Sequence, residues 1–283
     1  MSGPTRPVLR WHGGKWLLAP WIIGHFGPHR CYVEPFGGAA SVLLRKPRSH
    51  AEVYNDLDAT VVGLFRVLQD PACCTELLRQ LELTPFARAE FEAAYEVAAD
   101  PIEEARRLII RSFMGHGTTA HTRASTGFRA NSTRSGTVPA RDWVNYAAAL
   151  PEIVERMRGV IIEQRPATEV MTSHDGEEVL HYVDPPYLPS TRSGANPHCR
   201  KHLYNHELSE GDHAALLEHL QGLRGAVILS GYPSDLYAAQ LAGWRCVEQA
   251  ALADGAAPRT ECLWLNETAQ RSLPHPDLFA AAA

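Results

Sequence analysis

The sequence contains no apolar run approaching the roughly 18 residues that a membrane-spanning helix requires. The opening Met-Ser-Gly-Pro-Thr-Arg has no apolar segment behind it, so no signal peptide is expected. Six cysteines are present (Cys31, Cys73, Cys74, Cys199, Cys246 and Cys262), but none forms a C-x-x-C pair. Neither a zinc site nor a thioredoxin-like motif is signalled, no metal is called for, and a reduced, cytoplasmic setting is expected. There is no internal repeat, no G-x-G-x-x-G fingerprint and no P-loop. What remains is an ordinary globular composition, 45% hydrophobic and 21% charged over 283 residues. That length allows one large domain, or one domain carrying a sizeable insert.

Positive charge is scarce overall, with a formal net charge of -5. Its distribution is uneven. Between Arg106 and Arg165 stand ten arginines against four acids, so that segment carries about +6 and the remainder about -11. A basic island in an acidic chain points to a polyanion or to a solvated charged face, and charge alone does not choose between them.

Several segments have a readable period. Cys31 to Glu34 is a short β-prone run followed by the turn Pro35 to Gly38 and a short helix from Ala39 to Lys46. Ala51 to Tyr54 is a second strand, ended by Asn55-Asp56, with a helix from near Asp58 to Leu68. Residues 72 to 112 read as mostly helical. Met114 to Pro139 is rich in Gly, Ser, Thr and Arg, has no period, and reads as a long mobile loop. Helix returns from Trp143 to Met157. Strands are then predicted at Gly159 to Glu163, Val179 to Val183 and Ala226 to Leu229. A helix opens at Ser209, with Asp212 in a capping-box-like position, and runs to about Leu223. Trp244 to Gln249 and Glu261 to Asn266 are two closing strands joined by Ala253 to Arg259. Alternating strands and helices predict a mostly parallel α/β sheet, and the last pair predicts an antiparallel edge.

Four motifs carry chemistry. In Glu34-Pro35-Phe36-Gly37-Gly38-Ala39, two glycines after a strand let backbone approach a ligand, with free N–H groups at the helix start behind them; a tight structural turn reads the same way. Asp56 ends the next strand, where an acid accepts hydrogen bonds from ribose hydroxyls; the alternative is a helix cap, a role open to Asn55 or Asp58. Asp184-Pro185-Pro186-Tyr187 follows an apolar strand and is the most specific signal. Two prolines stiffen the backbone and remove two donors, leaving carbonyls as acceptors. Adenine N6 must be held by two acceptors to become a nucleophile: the Asp184 carboxylate can take one N–H and the Pro185 carbonyl the other. Tyr187 offers a face for an extruded base. Finally, Arg10-Trp11-His12-Gly13-Gly14-Lys15 places a lysine after a glycine pair beside an apolar wall, as a ligand-contacting arm or a structural one.

In this order the four elements resemble the Dam-like family of adenine-specific (N6) DNA methyltransferases. Trp11 to Lys15, Pro35 to Gly38, Asn55-Asp56 and Asp184 to Tyr187 carry the likeness. Leu203 to Asp212, Val227 to Tyr232 and Arg259 to Asn266 add to it. The resemblance implies a methyltransferase (Rossmann-like) sheet. Residues 1–71 and 159–283 would form the catalytic S-adenosylmethionine-binding domain, and residues 72–158 a mainly helical inserted target-recognition region. Trp11, Lys15, Glu34, Pro35, Phe36, Gly37, Gly38, Asp56 and Asp184 would face the cofactor. Asp184, Pro185, Pro186 and Tyr187 would be catalytic. Arg111, Arg123, Arg129, Arg134 and Arg141 are candidate contacts to double-stranded DNA, to phosphates or to guanine edges. Family members often carry an acid in the loop after the strand at Val160 to Glu163. This chain has Arg165-Pro166-Ala167 there, with Glu163 and Glu169 as nearby acids.

The implied reaction is direct transfer of a sulfonium methyl to N6 of a flipped adenine. The alternatives are methylation of RNA adenine or of cytosine N4, and a cofactor or nucleic-acid binding module without turnover. A partner restriction endonuclease is left open, as are a monomer and a weak dimer.

Overall fold

The computed structural model describes residues 3–118, 120, 126–131, 138–191, 205–252 and 258–273. In chain order they form α1 (Ala19–Ile23), β1 (Cys31–Glu34), α2 (Ser41–Arg45), β2 (Ala51–Asn55), α3 (Ala59–Gln69), α4 (Pro71–Leu83), α5 (Arg88–Ala93) and α6 (Pro101–Met114). Then come α7 (Pro139–Val144), α8 (Tyr146–Met157), β3 (Ile161–Glu163), α9 (Ala167–His174), β4 (Val179–Val183) and α10 (Glu210–Gln221). The chain closes with β5 (Ala226–Gly231), α11 (Asp235–Gln240), β6 (Arg245–Leu252), β7 (Pro258–Leu265) and α12 (Glu267–Ser272).

The seven strands make one sheet in the order β3-β2-β1-β4-β5-β7-β6. The first five are parallel, and β7 and β6 run antiparallel at the edge. Both faces are covered, and the two-residue period of each strand distributes side chains between them. Tyr32, Tyr54, Leu180, Tyr182, Ile228, Leu263 and Leu265 enter one core. Val183, Val227, Leu229, Cys262 and Trp264 enter another, lined by Leu216, Leu217 and Leu220 of α10 and Tyr237 of α11.

Local sequence explains most boundaries. Asp58 caps α3 through the Thr60 N–H, Asp70 and Asp100 cap α4 and α6, and Pro71 and Pro101 occupy the first turns. The capping box of Ser209 and Asp212 is present on α10. The helix expected over Trp143 to Met157 is two helices broken at Asn145. Four short helices, α1, α9, α11 and α12, were not apparent in the periodicity. Met114 to Pro139 is not wholly aperiodic among its described residues. Gly115 pairs with Phe128, and His116 donates its N–H to the Gly127 carbonyl at 3.0 Å.

Residues 72–158 are not walled off from the sheet. Leu77, Leu108, Ile109, Phe113, Leu150 and Ile153 share one continuous core with Tyr32, Tyr54 and Leu64. A buried ionic cluster ties the same region to β2. Arg156 of α8 grips Glu52 with two hydrogen bonds at 2.6 and 2.8 Å, and Lys46 reaches Glu52 at 2.6 Å. The arm before α1 is stitched to the helices. Ser112 bonds the Arg10 backbone, and the Tyr146 hydroxyl donates to the Val8 carbonyl.

Burial alone would push Glu52 up, but the hydrogen bonds from Arg156 and Lys46 outweigh it and hold the carboxyl below its usual value. A depressed folded-state value means stability that is present above the unfolded carboxyl value and drains as pH falls through the folded one. Arg156→Leu, which leaves a buried carboxylate short of a partner, is expected to cost roughly 3–5 kcal/mol. Urea unfolding followed by circular dichroism at neutral pH checks this.

Candidate active site

Parallel strands deliver the loops that follow them to one edge of the sheet. β1 leads outward to β2 and β3, while β4 leads the other way to β5, so a crevice opens between the ends of β1 and β4 where strand order reverses. The loops after β1, β2 and β4 meet there, roofed by the N-terminal arm. The cavity takes in about 910 Å³ of non-atom space, open solvent at its mouth included.

Asn55 binds the loops together. Its buried side-chain amide donates to the carbonyls of Pro35 and Arg165, and its oxygen accepts from the Arg165 N–H at 2.9 Å. Its own carbonyl takes the Gly37 N–H at 2.8 Å. The expectation that Asn55 or Asp58 would cap the following helix resolves to Asp58, leaving Asn55 for this role.

The glycine pair is required by contact rather than by flexibility alone. A Cβ on Gly37 would sit 2.1 Å from Cε2 of Tyr54, and one on Gly38 would sit 2.7 Å from Nε1 of Trp11. Gly38 also has a positive φ of 47°, and the Tyr54 hydroxyl donates to its carbonyl. Asp56 accepts the N–H groups of Gly38 and Asp58, both at 2.8 Å. Burial nevertheless pushes its carboxyl up to about 6. Glu34 accepts from the Tyr32 hydroxyl at 2.7 Å and the Leu43 N–H at 3.0 Å, and burial lifts it to about 8.

Asp184 stands at the end of β4 with Lys15 of the arm 3.0 Å from its Oδ1. Burial raises its carboxyl above the usual range, the Lys15 ammonium pulls it back down, and Glu261 adds a push upward. Lys15 itself is 5% exposed, donates to the Gly13 carbonyl and lies 4.6 Å from the centre of the Tyr187 ring. Tyr187 meets Tyr232 edge-on at 4.6 Å. Its hydroxyl donates to Glu261 at 2.6 Å and lies 3.2 Å from Ser230.

Trp11, Lys15, Glu34, Pro35, Phe36, Gly37, Gly38, Asp56, Asp184, Pro185 and Pro186 all line this one cavity. Tyr187 lies beside it, on the Tyr232 side of Lys15. The cavity also takes in Leu57, Asp58, Asn205, His206 and Leu208, which the motifs did not single out as a group. Asn205 donates to Asp58 at 2.8 Å. Neither Glu163 nor Glu169 is among the lining residues, and Glu169 pairs with Arg165 at the surface, so Ala167 stands where an acid was expected.

The candidate DNA-contacting arginines separate. Arg111 is corrected: it is 2% exposed and its guanidinium serves the carbonyls of Ala94 and Ala120 and the carboxylate of Glu104, so it cannot reach a phosphate. Arg129 is half-buried and bonds the Phe113 carbonyl, while Arg141 is exposed. Arg123 and Arg134 lie outside the described residues. Spacing also hid one cross-strand group, Cys246, Glu248 and Cys262, whose ligand atoms lie within 4.8 Å of one another. Burial pushes both thiols up, toward the neutral form. No described helix is long and apolar enough to cross a membrane.

Similarity to known proteins agrees with this geometry. Over a 65-residue stretch the chain is 34% identical to the DNA adenine methylase of Escherichia coli (strain K12), covering 23% of each chain. It is 32% identical to that of Serratia marcescens over 65 residues, 23% of this chain and 24% of that one. The matched stretch thus spans about a quarter of these curated relatives. The profile of the family described as D12 class N6 adenine-specific DNA methyltransferase matches residues 11–241, from the arm through the helix after β5. Since that match takes in every loop that builds the cavity, the chain belongs to the D12 class of N6 adenine-specific DNA methyltransferases.

Proposed function

We propose that the protein transfers a methyl group from S-adenosylmethionine to N6 of an adenine extruded from double-stranded DNA. The observation that carries this reading is the place of Asp184. Its carboxylate borders the cavity on one side and, through Lys15, the Tyr187–Tyr232 aromatic wall on the other. A methyl donor in the cavity and a base on the wall would meet at that residue.

The cavity suits a cationic sulfonium with a ribose. Among the described lining residues Lys15 is the one lysine or arginine, and Asp184 already pairs with it. The Asp56 and Asp58 carboxylates are positioned as acceptors for ribose hydroxyls. The bound donor supplies an activated methyl group. The chain supplies placement. The Asp184 carboxylate and the Pro185 carbonyl accept the two N6 protons, which turns the nitrogen lone pair out of conjugation with the ring. Tyr187 supports the base face. The amine proton becomes acidic only as the new bond forms, so Asp184 need not be a strong base.

We assign target recognition to the loops of the 72–158 region, with Arg129 and Arg141 as the described candidates for phosphate or guanine contact. One donor and one base complete the reacting set, so a monomer suffices in a reduced cytoplasm, with or without a companion restriction endonuclease. Expression in a methylation-free host, followed by sequencing that detects N6-methyladenine in context, tests the whole reading. Absence of the mark, or its appearance on cytosine, would overturn it.

Further outcomes are expected. Asp184→Ala should lose roughly 10²–10⁴-fold in methyl transfer, the usual cost of removing a positioned proton acceptor, while the protein still folds by circular dichroism. Transfer requires ionised Asp184, whose value is raised, so kcat/KM should fall on acidification at a higher pH than an ordinary aspartate dictates. Lys15→Met removes the counter-charge and should move that inflection higher still. Arg141→Ala should reduce the slope of log affinity against log salt by about one with Tm intact. Arg111→Ala should instead lower Tm.

A further inference from the structure

Tyr187 is asked only for a ring face by the chemistry above, yet its hydroxyl is the most tightly held group on that side of the site. Glu261 of β7 accepts it at 2.6 Å. Glu261 is 6% exposed, and among the described residues no lysine or arginine pairs with it. Burying a carboxylate without a cation is costly unless a hydrogen bond repays it, so a space-filling role would be served better by a neutral side chain. The strand geometry explains the reach. Cys262 pairs with Gly231, the last residue of β5, and turns its side chain into the α10–α11 core. Glu261, one residue earlier, takes the opposite face just past the end of β5, beside Ser230 and Tyr187.

We propose that Glu261 is a positioning residue for the methyl-acceptor site. It anchors the far end of the Tyr187 phenol, so that the ring stands at one tilt between Lys15 and Tyr232 before a base arrives. A tyrosine side chain has two soft torsions, and tying its hydroxyl removes the freedom that base binding would otherwise have to remove. Glu261 touches neither donor nor base; it acts through Tyr187, and its charge also adds to the upward push on the Asp184 carboxyl. The role rests on the methyltransferase reading above.

The test is a double-mutant cycle in tritiated-methyl transfer to unmethylated duplex DNA, with S-adenosylmethionine affinity measured by calorimetry. Glu261→Ala is expected to lower kcat about ten- to hundredfold, with cofactor affinity within about twofold of wild type. Glu261→Gln, whose amide oxygen still accepts the phenol proton, should recover most of that loss. Tyr187→Phe combined with Glu261→Ala should be no worse than the poorer single variant, because the two act as a unit. The tyrosine difference absorbance between wild type and Glu261→Ala, vanishing in the Tyr187→Phe background, reports the contact without turnover. Additive losses, full activity in Glu261→Ala, or a matching loss of cofactor affinity would overturn the proposal while the function stands. A wild-type enzyme that binds the cofactor and transfers no methyl would instead overturn the function, and this role with it.

Discussion

An ion pair held inside a largely desolvated crevice, Asp184 with Lys15, is the constraint on which the rest of the site depends. Burial works against the charge of Asp184, and Lys15, 3.0 Å away, offsets part of that. Lys15 is not on the sheet, however. It belongs to an arm of irregular chain, and an ion pair of this kind is only as reliable as the backbone that holds its cation. That backbone is held by the helices between α3 and β3. Ser112 of α6 bonds the Arg10 peptide, Tyr146 of α8 bonds Val8, and Arg6 reaches Asp142 of α7. The helices are in turn tied to β2 by the buried Arg156–Glu52–Lys46 cluster. The helices of residues 72–158 are therefore structural for the cavity and its Lys15–Asp184 pair.

On the opposite side of Asp184 the loops are tied by backbone rather than by charge. Asn55 joins the ends of β1, β2 and the segment after β3 through three side-chain hydrogen bonds. Gly37 and Gly38 are pressed against Tyr54 and Trp11 at distances no Cβ would tolerate. The two halves have different tolerances. Charge pairing adapts to small shifts, whereas the glycine loop has no slack, so the glycine-loop side is the rigid reference against which the Lys15 side is set.

The parallel sheet and its cavity-lining motifs were legible because their signals are local. An apolar run ended by Asp-Pro-Pro-Tyr, and a glycine pair after a strand, each lie within ten residues. The helices α9 and α11 were not legible. α9 buries only Val170 and Met171, adjacent residues that trace no helical period, and α11 is six residues long. Asn55 was legible as a polar residue at a strand end, but its latch spans 110 residues to Arg165. The bond from Tyr187 to Glu261 spans 74 residues, and nothing near either one announces the other.

Charge illustrates the same limit most sharply. The excess of arginine between 106 and 165 reads equally as a surface for a polyanion or as a solvated charged face, yet most of it is neutralised by acids outside that window. Arg106 pairs with Glu90 and Glu103, Arg107 with Glu103, Arg111 with Glu104, Arg156 with Glu52 and Arg165 with Glu169. Arg158 pairs within it, with Glu155. A sum along the chain treats acids at 103 and 104 as remote from an arginine at 107, although one turn of helix brings them together. Arg129 bonds the Phe113 carbonyl, and Arg141 is exposed with no carboxylate partner among the described residues. Counting charge along the chain therefore overstates the positive surface of these helices, because it cannot see which arginines fold onto acids.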